Sequence, residues 1–234
     1  MVLVGDQTIL AVEAATSALS VGIKRGGRGL GLIWQDSGRP NGDHLLILID
    51  QLLSDTGIAK SELEGIAVSQ GPGSFTGVRI QLAQCQAMAL GLGLPLYGAD
   101  RLALAASTLP YYPGRIKVIQ NAHKGELYLG AFDGQGAKPE RLGELTLITP
   151  QDFMEQLEPG EMVLGEGIDI LEQLGYDPNT CGARFDRSAA RQVNALVLAD
   201  WFADQPPLSY QPCPLEPIYL RPSEAEILYE RKWG

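Results

Sequence analysis

Short apolar runs separated by turn residues open the chain. Residues 8–12, 19–23 and 30–34 are predominantly apolar, and a polar loop and the pair Gly26-Gly27 separate them. Runs of this length that end at turn residues are typical of β-strands. The pattern therefore predicts a three-stranded antiparallel meander.

The pattern then alternates between helical and strand periods. Apolar residues at helical spacing, glycine and proline stops, and a Thr-Pro helix start at Thr149 and Pro150 mark the elements. Before residue 112 the predicted elements are helix 44–53, strand 66–69, helix 76–90, strand 94–97 and helix 101–107. After the second hairpin described below they are strand 145–148, a helix to 157, strand 162–164, helix 188–202, a proline-rich stretch 206–222 and an amphipathic tail 226–233.

The opening pattern recurs 108 residues later in the chain. Residues 9–25 align without gaps on residues 117–133, and Gly22 then matches Gly130. A chance match is the alternative, because apolar–polar–apolar–Gly is a common pattern. Recurrence of a whole hairpin favours a duplicated architecture.

The recurrence predicts how the chain divides. We expect an α/β protein of two related lobes, each with a mixed sheet of the five-stranded type flanked by helices. The first lobe spans residues 1–112 and holds the candidate partner-binding helices. The second spans residues 113–234 and ends in the proline-rich tail.

Composition narrows the class of partner. The chain has 234 residues, is 45% apolar and carries a formal charge of −10. Such a negative field repels a phosphate backbone, whose binding depends on Lys and Arg. Direct binding of nucleic acid by this chain alone is not expected. Its apolar runs are shorter than a membrane span, and no export signal is readable at residues 1–8, so we expect a cytoplasmic protein.

Metal and disulfide chemistry find little support in the sequence. The three cysteines, Cys85, Cys181 and Cys213, are far apart, and neither His44 nor His123 has a ligand partner at metal-binding spacing. We predict reduced thiols, no metal site and no cofactor.

The motif GPGSFTG, Gly71 to Gly77, joins a predicted strand to a predicted helix. Exposed amides at such a junction, with the helix dipole, could form an anion nest from Gly73, Ser74, Phe75 and Thr76. The alternative is a tight turn in which Ser74 or Thr76 caps the helix. The motif is not a Walker loop, because no Lys follows the last glycine, and Ser74 lacks the G-x-S-x-G context of a nucleophile.

The two hairpin loops bear on nucleotide binding. They have the sequences E-A-A-T from Glu13 and N-A-H-K from Asn121, without glycine. Close approach of backbone to a triphosphate needs glycine beside a metal-organising acid. We therefore predict that the loops do not wrap a triphosphate and that Glu13 is a hydrogen-bonded loop acid rather than a metal ligand.

Two predicted helices of the first lobe carry more apolar surface than one core needs. Two interpretations stand: the stripes are core, or one of them meets a partner chain. The candidate interface residues are Leu45, Leu46, Ile49, Val78, Leu82, Cys85 and Met88.

Several blocks of the sequence resemble the TsaB (YeaZ) family. They are ILAVEAATSALSVGI from Ile9, HLLILIDQLL, the GPGSFTGVRI block with the helix after it, NAHKGELYLGAF and EPIYLR from Glu216. The resemblance departs at Glu13, where relatives usually have Asp, and at Asn121 to His123, where they usually have Asp-Ala-Arg.

The resemblance implies an actin-like (ASKHA) fold without catalysis of its own. It implies a subunit that pairs through the first-lobe helices with the catalytic TsaD subunit, recruits the ATPase TsaE and forms homodimers in isolation. The complex modifies the tRNA adenosine beside the anticodon, and this chain would meet tRNA only indirectly. The alternative is an active ATP-dependent phosphotransferase or a glycoprotease-like peptidase of the same fold.

Overall fold

A computed structural model describes residues 6–36, 44–177, 181–186, 188, 193–203 and 215–221. Most of the predicted proline-rich stretch and all of the predicted amphipathic tail lie outside these residues. The first half contains β1 (Thr8–Glu13), β2 (Ala18–Arg25), β3 (Arg28–Asp36), α1 (Leu45–Thr56), β4 (Gly65–Ser69), α2 (Phe75–Leu92), β5 (Leu96–Ala99) and α3 (Arg101–Ala106). The second half contains β6 (Arg115–Asn121), β7 (Leu127–Asp133), β8 (Glu140–Arg141), β9 (Thr146–Ile148), α4 (Pro150–Glu155), β10 (Met162–Leu164), α5 (Gly167–Gln173), β11 (Arg184–Phe185) and α6 (Ala195–Ala203).

The strands form two mixed sheets with matching topology. The order is β3-β2-β1-β4-β5 in the first sheet and β8-β7-β6-β10-β11 in the second, where β9 also pairs with β7. In each sheet an antiparallel hairpin is followed by two parallel strands. The predicted duplication is confirmed, although the second sheet has six strands among the described residues rather than five.

Helices cover both faces of the first sheet. α1 and α2 pack on the face of β1 that carries Leu10 and Val12. α6 packs on the opposite face, which carries Ile9 and Ala11, and α3 joins the same core while packing on β6 and β7 of the second sheet. Alternating burial of this kind gives each face of a central strand its own core.

α6 belongs by sequence to the second half but packs against the first sheet. The Ala195 amide donates to Ser20 Oγ at 3.0 Å, and a Cβ on Gly22 would lie 3.1 Å from Ala195 Cβ. The glycine of β2 thus lets this helix approach closely. The helix returns across the junction of the two lobes.

Two element predictions require correction. The last helix begins at Ala195, because Asn194 Oδ1 accepts from the amides of Leu196 and Val197 and caps it, rather than near Ser188. α5 was not predicted, although Ile168 and Leu171 are buried at helical spacing. Within the described residues, none of the helices combines the length and apolarity that a membrane crossing requires.

Candidate functional site

The Gly71 to Gly77 turn packs tightly against the first hairpin loop. A Cβ on Gly73 would overlap the carbonyl oxygen of Ala15, and one on Gly77 would lie 2.8 Å from the carbonyl oxygen of Ala14. The Ser74 amide donates to Ala15 O at 2.7 Å. The glycines are therefore required for close approach of two backbone segments.

Ser74 caps α2. Its Oγ accepts from the Gly77 amide at 3.2 Å. Because the Ser74 amide already donates to Ala15, it is not available to an anion, and the predicted nest is wrong at this amide. Gly73, Ser74, Phe75 and Thr76 nevertheless all line the cavity between the lobes.

A buried polar cluster joins the lobes beneath this turn. Arg101 Nε lies 3.2 Å from Glu13 Oε1, and Arg101 Nη1 donates to Gln120 Oε1 at 2.7 Å. Gln120 Nε2 donates in turn to Pro72 O at 3.1 Å. The side chains of Arg101 and Glu13 are only 7% and 2% exposed. We call Glu13, Arg101 and Gln120 the interlobe hub.

The hub shows how the two hairpins correspond. Glu13 and Gln120 are the two hairpin residues that contact Arg101. Six residues separate Glu13 from its strand partner Ser20, and seven separate Gln120 from its strand partner Tyr128. Gln120 rather than Asn121 is therefore the structural counterpart of Glu13. The second of these segments includes Gly125, whose φ is +81°, so the prediction of a glycine-free second loop is wrong.

Arg101 and Gln120 were missed by sequence reasoning. A signal was present for Arg101, the one charged residue of the apolar helix RLALAA directly after the carboxyl end of β5. Polar residues at the carboxyl ends of parallel strands meet at one edge of a sheet. For Gln120 the gapless alignment pointed to its neighbour.

Residues 215–221, which we call the strap, cross from the first lobe to the second. Gln86 Nε2 donates to Leu215 O at 2.9 Å, and Gln70 Nε2 donates to Glu216 O at 2.8 Å. At the far end of the strap Arg221 forms an ion pair with Glu126 of the second lobe. The block EPIYLR therefore has a structural role in connecting the lobes.

A cavity of about 640 Å³ lies between the turn, the second hairpin loop and the strap. Aromatic rings form part of its wall: Phe75 stacks on Tyr219 with centroids 5.1 Å apart. The Arg79 guanidinium lies 3.8 Å from the Phe75 centroid, and its Nε donates to Tyr219 Oη at 2.5 Å. The lining residues are 73–76, 78, 79, 122–124, 128 and 218–221.

The predicted partner interface requires correction. Five of its seven side chains are buried in the core of the first lobe, at 0–3% exposure, and cannot form a surface: Leu45, Ile49, Val78, Leu82 and Cys85. Met88 is half-buried against the same core, and only Leu46 is exposed. Burial also raises the pKa of Cys85 to about 12.

The exposed side of the same two helices carries other residues. Leu46 and Ile47 of α1 are 45% and 61% exposed, and Leu90 of α2 is 68% exposed. Ala83 and Ala87 of α2 are exposed at spacings that place them on one stripe with Leu90. We call these five residues the outer face.

Two sheets of matching order, with a cleft between them, define the class of this protein as actin-like. In fold alone, this chain is similar to a Clostridium difficile activator of 2-hydroxyisocaproyl-CoA dehydratase solved with ADPNP, with a TM-score of 0.50 and 11% identity. The family model described as TsaD, tRNA N6-adenosine threonylcarbamoyltransferase, matches residues 29–181.

Relatives that match over nearly their full length show where the chain belongs within this family. The chain is 25% identical over 229 residues to the tRNA threonylcarbamoyladenosine biosynthesis protein TsaB of Bacillus subtilis, covering 97% of each chain. It is 26% identical to TsaB of Escherichia coli, covering 91% of this chain and 94% of that protein. YeaZ from Pseudomonas aeruginosa superposes with a TM-score of 0.73 at 27% identity, over 92% of this chain and all of that one. The chain belongs to the TsaD family and, within it, to TsaB (YeaZ).

Proposed function

We propose that this chain is a non-catalytic partner subunit in the biosynthesis of threonylcarbamoyladenosine in tRNA. It pairs with a TsaD-type catalytic subunit, works with a TsaE-type ATPase, and forms homodimers when the catalytic subunit is absent. The lobes 1–112 and 113–234 act as one frame that presents the pairing helices. The names of the full-length relatives support the pathway.

The outer face is the observation that carries the pairing proposal. Leu46, Ile47 and Leu90 expose large apolar side chains on helices whose other sides are buried. Ala83 and Ala87 have only methyl side chains, so a partner helix could approach closely at these positions. Exposed apolar side chains together with small residues on a pair of helices are typical of surfaces that contact another helix.

The interlobe hub supports the non-catalytic part of the proposal. In an actin-like nucleotide-binding protein the two hairpin loops approach the phosphates. Here the Arg101 guanidinium lies between Glu13 of the first hairpin and Gln120 of the second. The Arg101 side chain thus occupies the space beside the two hairpins, where such a protein would hold its phosphates.

The charge of the chain supports an indirect relation to tRNA. With a formal charge of −10, the chain repels a polyphosphate at long range. We therefore expect the catalytic partner to supply most of the tRNA-binding surface, with this chain acting through that partner.

The pairing proposal is tested by light scattering on a mixture of this chain and a TsaD-type subunit. The wild-type chain should form a heterodimer. Leu90→Glu should weaken pairing by about 3 kcal/mol, roughly a hundredfold in Kd, because a carboxylate would be desolvated without a partner. The matched control is Leu174→Glu, since Leu174 is 59% exposed on the other lobe. Normal pairing by Leu90→Glu would contradict the assignment of this face.

The alternative, an enzyme of the same fold, has one observation in its favour. A Pseudomonas aeruginosa structure with a TM-score of 0.74 and 27% identity is described as similar to peptidase YEAZ. This alternative predicts peptide cleavage or ATP-dependent phosphoryl transfer by the isolated chain. Absence of both, in a preparation that pairs with the TsaD-type subunit, would remove it.

A further inference from the structure

β3 is an edge strand of the first sheet. Within the described residues it pairs only with β2, so residues 31–35 carry backbone groups on their other side that have no strand partner. Native edge strands are commonly protected by proline, by charged side chains or by a bulge. The sequence from Gly29 to Gln35 contains no proline and no charge, and the register shift of β3 lies before Gly31. Residues 31–35 therefore form a regular edge of the kind that another strand can extend.

Two large apolar side chains project from this edge. Leu32 and Trp34 are 41% and 40% exposed. They lie on the face of the sheet that α6 covers, because their partners on β2, Gly22 and Ser20, both lie against Ala195 of that helix. The two exposed side chains are therefore neighbours on one face of the strand.

The edge is self-complementary in the antiparallel direction. When two copies pair with Ile33 opposite Ile33, Leu32 of each copy lies directly opposite Trp34 of the other. Four apolar side chains then meet on one face of the joined sheets. Cross-strand pairs of this kind, an aromatic residue opposite an aliphatic one, stabilise antiparallel strands. The pairing uses only the regular part of β3, beyond its register shift.

The charges at the two ends of β3 favour the same arrangement. Arg28 begins the strand, Asp36 ends it, and the residues between them are uncharged. Antiparallel pairing brings Arg28 of each copy toward Asp36 of the other, whereas parallel pairing would bring like charges together. The net charge of −10 opposes the association of two copies at long range, so the contact should be weak.

From these observations we infer that β3 is the surface through which two copies of this chain associate. Their first sheets join edge to edge at residues 31–35, with the strands antiparallel and the two Ile33 residues opposite each other. Because each copy contributes the same edge, the contact is closed at two copies. The inference rests on the homodimer part of the proposed function. It does not rest on pairing with a TsaD-type subunit, which is assigned to the outer face.

Sedimentation velocity on the full chain, from about 1 to about 200 μM, tests the inference. The wild type should be monomeric at the lowest concentration and form dimers with a Kd between roughly 10 and 100 μM. Trp34→Glu and Leu32→Lys should each weaken self-association at least about tenfold, because a charge would lie against an apolar residue. Both side chains are partly exposed, so the melting temperatures of the variants should stay near that of the wild type.

A mixture of these two variants tests the register. Pairing about Ile33 places the new charges of Leu32→Lys and Trp34→Glu opposite each other, while the second pair of the same dimer remains Trp34 opposite Leu32. The mixture should therefore form dimers with a Kd within about threefold of that of the wild type, although each variant alone does not. The matched control is Leu142→Glu, since Leu142 is 44% exposed on the second lobe and should have no effect on self-association.

Three results would overturn the inference. The first is a wild-type chain that stays monomeric at about 200 μM. The second is loss of the dimer in Leu90→Glu but not in Trp34→Glu, which would place the contact on the outer face. The third is a mixture that associates no better than its separate components, which would exclude the register about Ile33.

A failure of this inference is distinguishable from a failure of the pairing proposal. Light scattering of Trp34→Glu mixed with the TsaD-type subunit should show the same heterodimer as the wild type, because β3 is not part of the outer face. Leu90→Glu should conversely keep the wild-type Kd for self-association. Loss of both kinds of association in Trp34→Glu would contradict the assignment of β3 to the contact between copies.

Discussion

At the scale of single residues, Arg101 is a buried cation that connects the two lobes. It neutralises the buried Glu13 and bridges to Gln120 in the other lobe. A buried charge that loses its partner is strongly destabilising, because its desolvation is no longer compensated. Loss of Arg101 should therefore affect the stability of the whole fold.

We expect Arg101→Ala to lower the free energy of unfolding by about 3–5 kcal/mol, measured by urea denaturation. Adding Glu13→Gln should recover part of this loss, since the unpaired charge is removed. The control is Arg115→Ala, whose exposed pair with Glu158 should contribute at most about 1 kcal/mol. Equal stability of Arg101→Ala and Arg115→Ala would show that the hub is not a stabilising contact.

The glycines of the turn and of α2 give a second prediction at this scale. Gly73→Ala should cost about 1–3 kcal/mol, because its Cβ would overlap a backbone oxygen that cannot easily move. Gly91→Ala should instead stabilise by about 0.5–1 kcal/mol, because Gly91 is helical and its Cβ would meet no neighbour within 4 Å. Thermal melting of the two variants checks the opposite signs, and a stabilised Gly73→Ala would contradict the packing described.

At the scale of elements, α2 has two sides with different roles. Its inner side, with Val78, Leu82 and Cys85, is part of the first-lobe core. Its outer side carries Ala83, Ala87 and Leu90. The same helix thus stabilises the lobe and presents a surface.

Substitutions on the two sides should separate stability from pairing. Leu82→Glu should destabilise the isolated chain strongly, because a carboxylate would be buried at a site only 3% exposed. Leu90→Glu should melt like the wild type and fail only in pairing. Circular dichroism melts of both variants decide the matter, and a normal melt of Leu82→Glu would place it on the surface after all.

The sequence was sufficient to predict most helices and strands, but not which side of each helix faces the core. Hydrophobic periodicity located the helices that became α1 and α2, and the internal repeat indicated two sheets of matching order. Hydrophobic periodicity could not decide whether Leu82 or Ala83 faces outward, because both stripes of α2 are compatible with burial. Only the position of β4 and the neighbouring strands fixes which side faces inward.

The hub and the cavity depend on contacts between residues that are far apart in the sequence. Gln120 was hidden by one additional residue between it and its strand partner, which a gapless alignment cannot show. The strap meets the first lobe at Gln70 and Gln86, more than a hundred residues earlier. Such long-range pairing gives no local periodicity in the sequence.

At the scale of the whole molecule, the described residues join the lobes through the hub, the strap, the returning helix α6 and an apolar core that α3 shares with β6 and β7. The hub lies beside the two hairpins, and the strap forms one wall of the cavity. α6 carries the second half of the chain back onto the first sheet.

Titration of the isolated chain with Mg-ATP, followed by calorimetry and phosphate release, tests this account most directly. The central claim is that Arg101 occupies the position between the hairpins and that the chain contributes a pairing surface instead of phosphoryl chemistry. The account predicts no phosphate release and no tight binding of Mg-ATP. Tight Mg-ATP occupancy with turnover, abolished by Glu13→Gln, would contradict it.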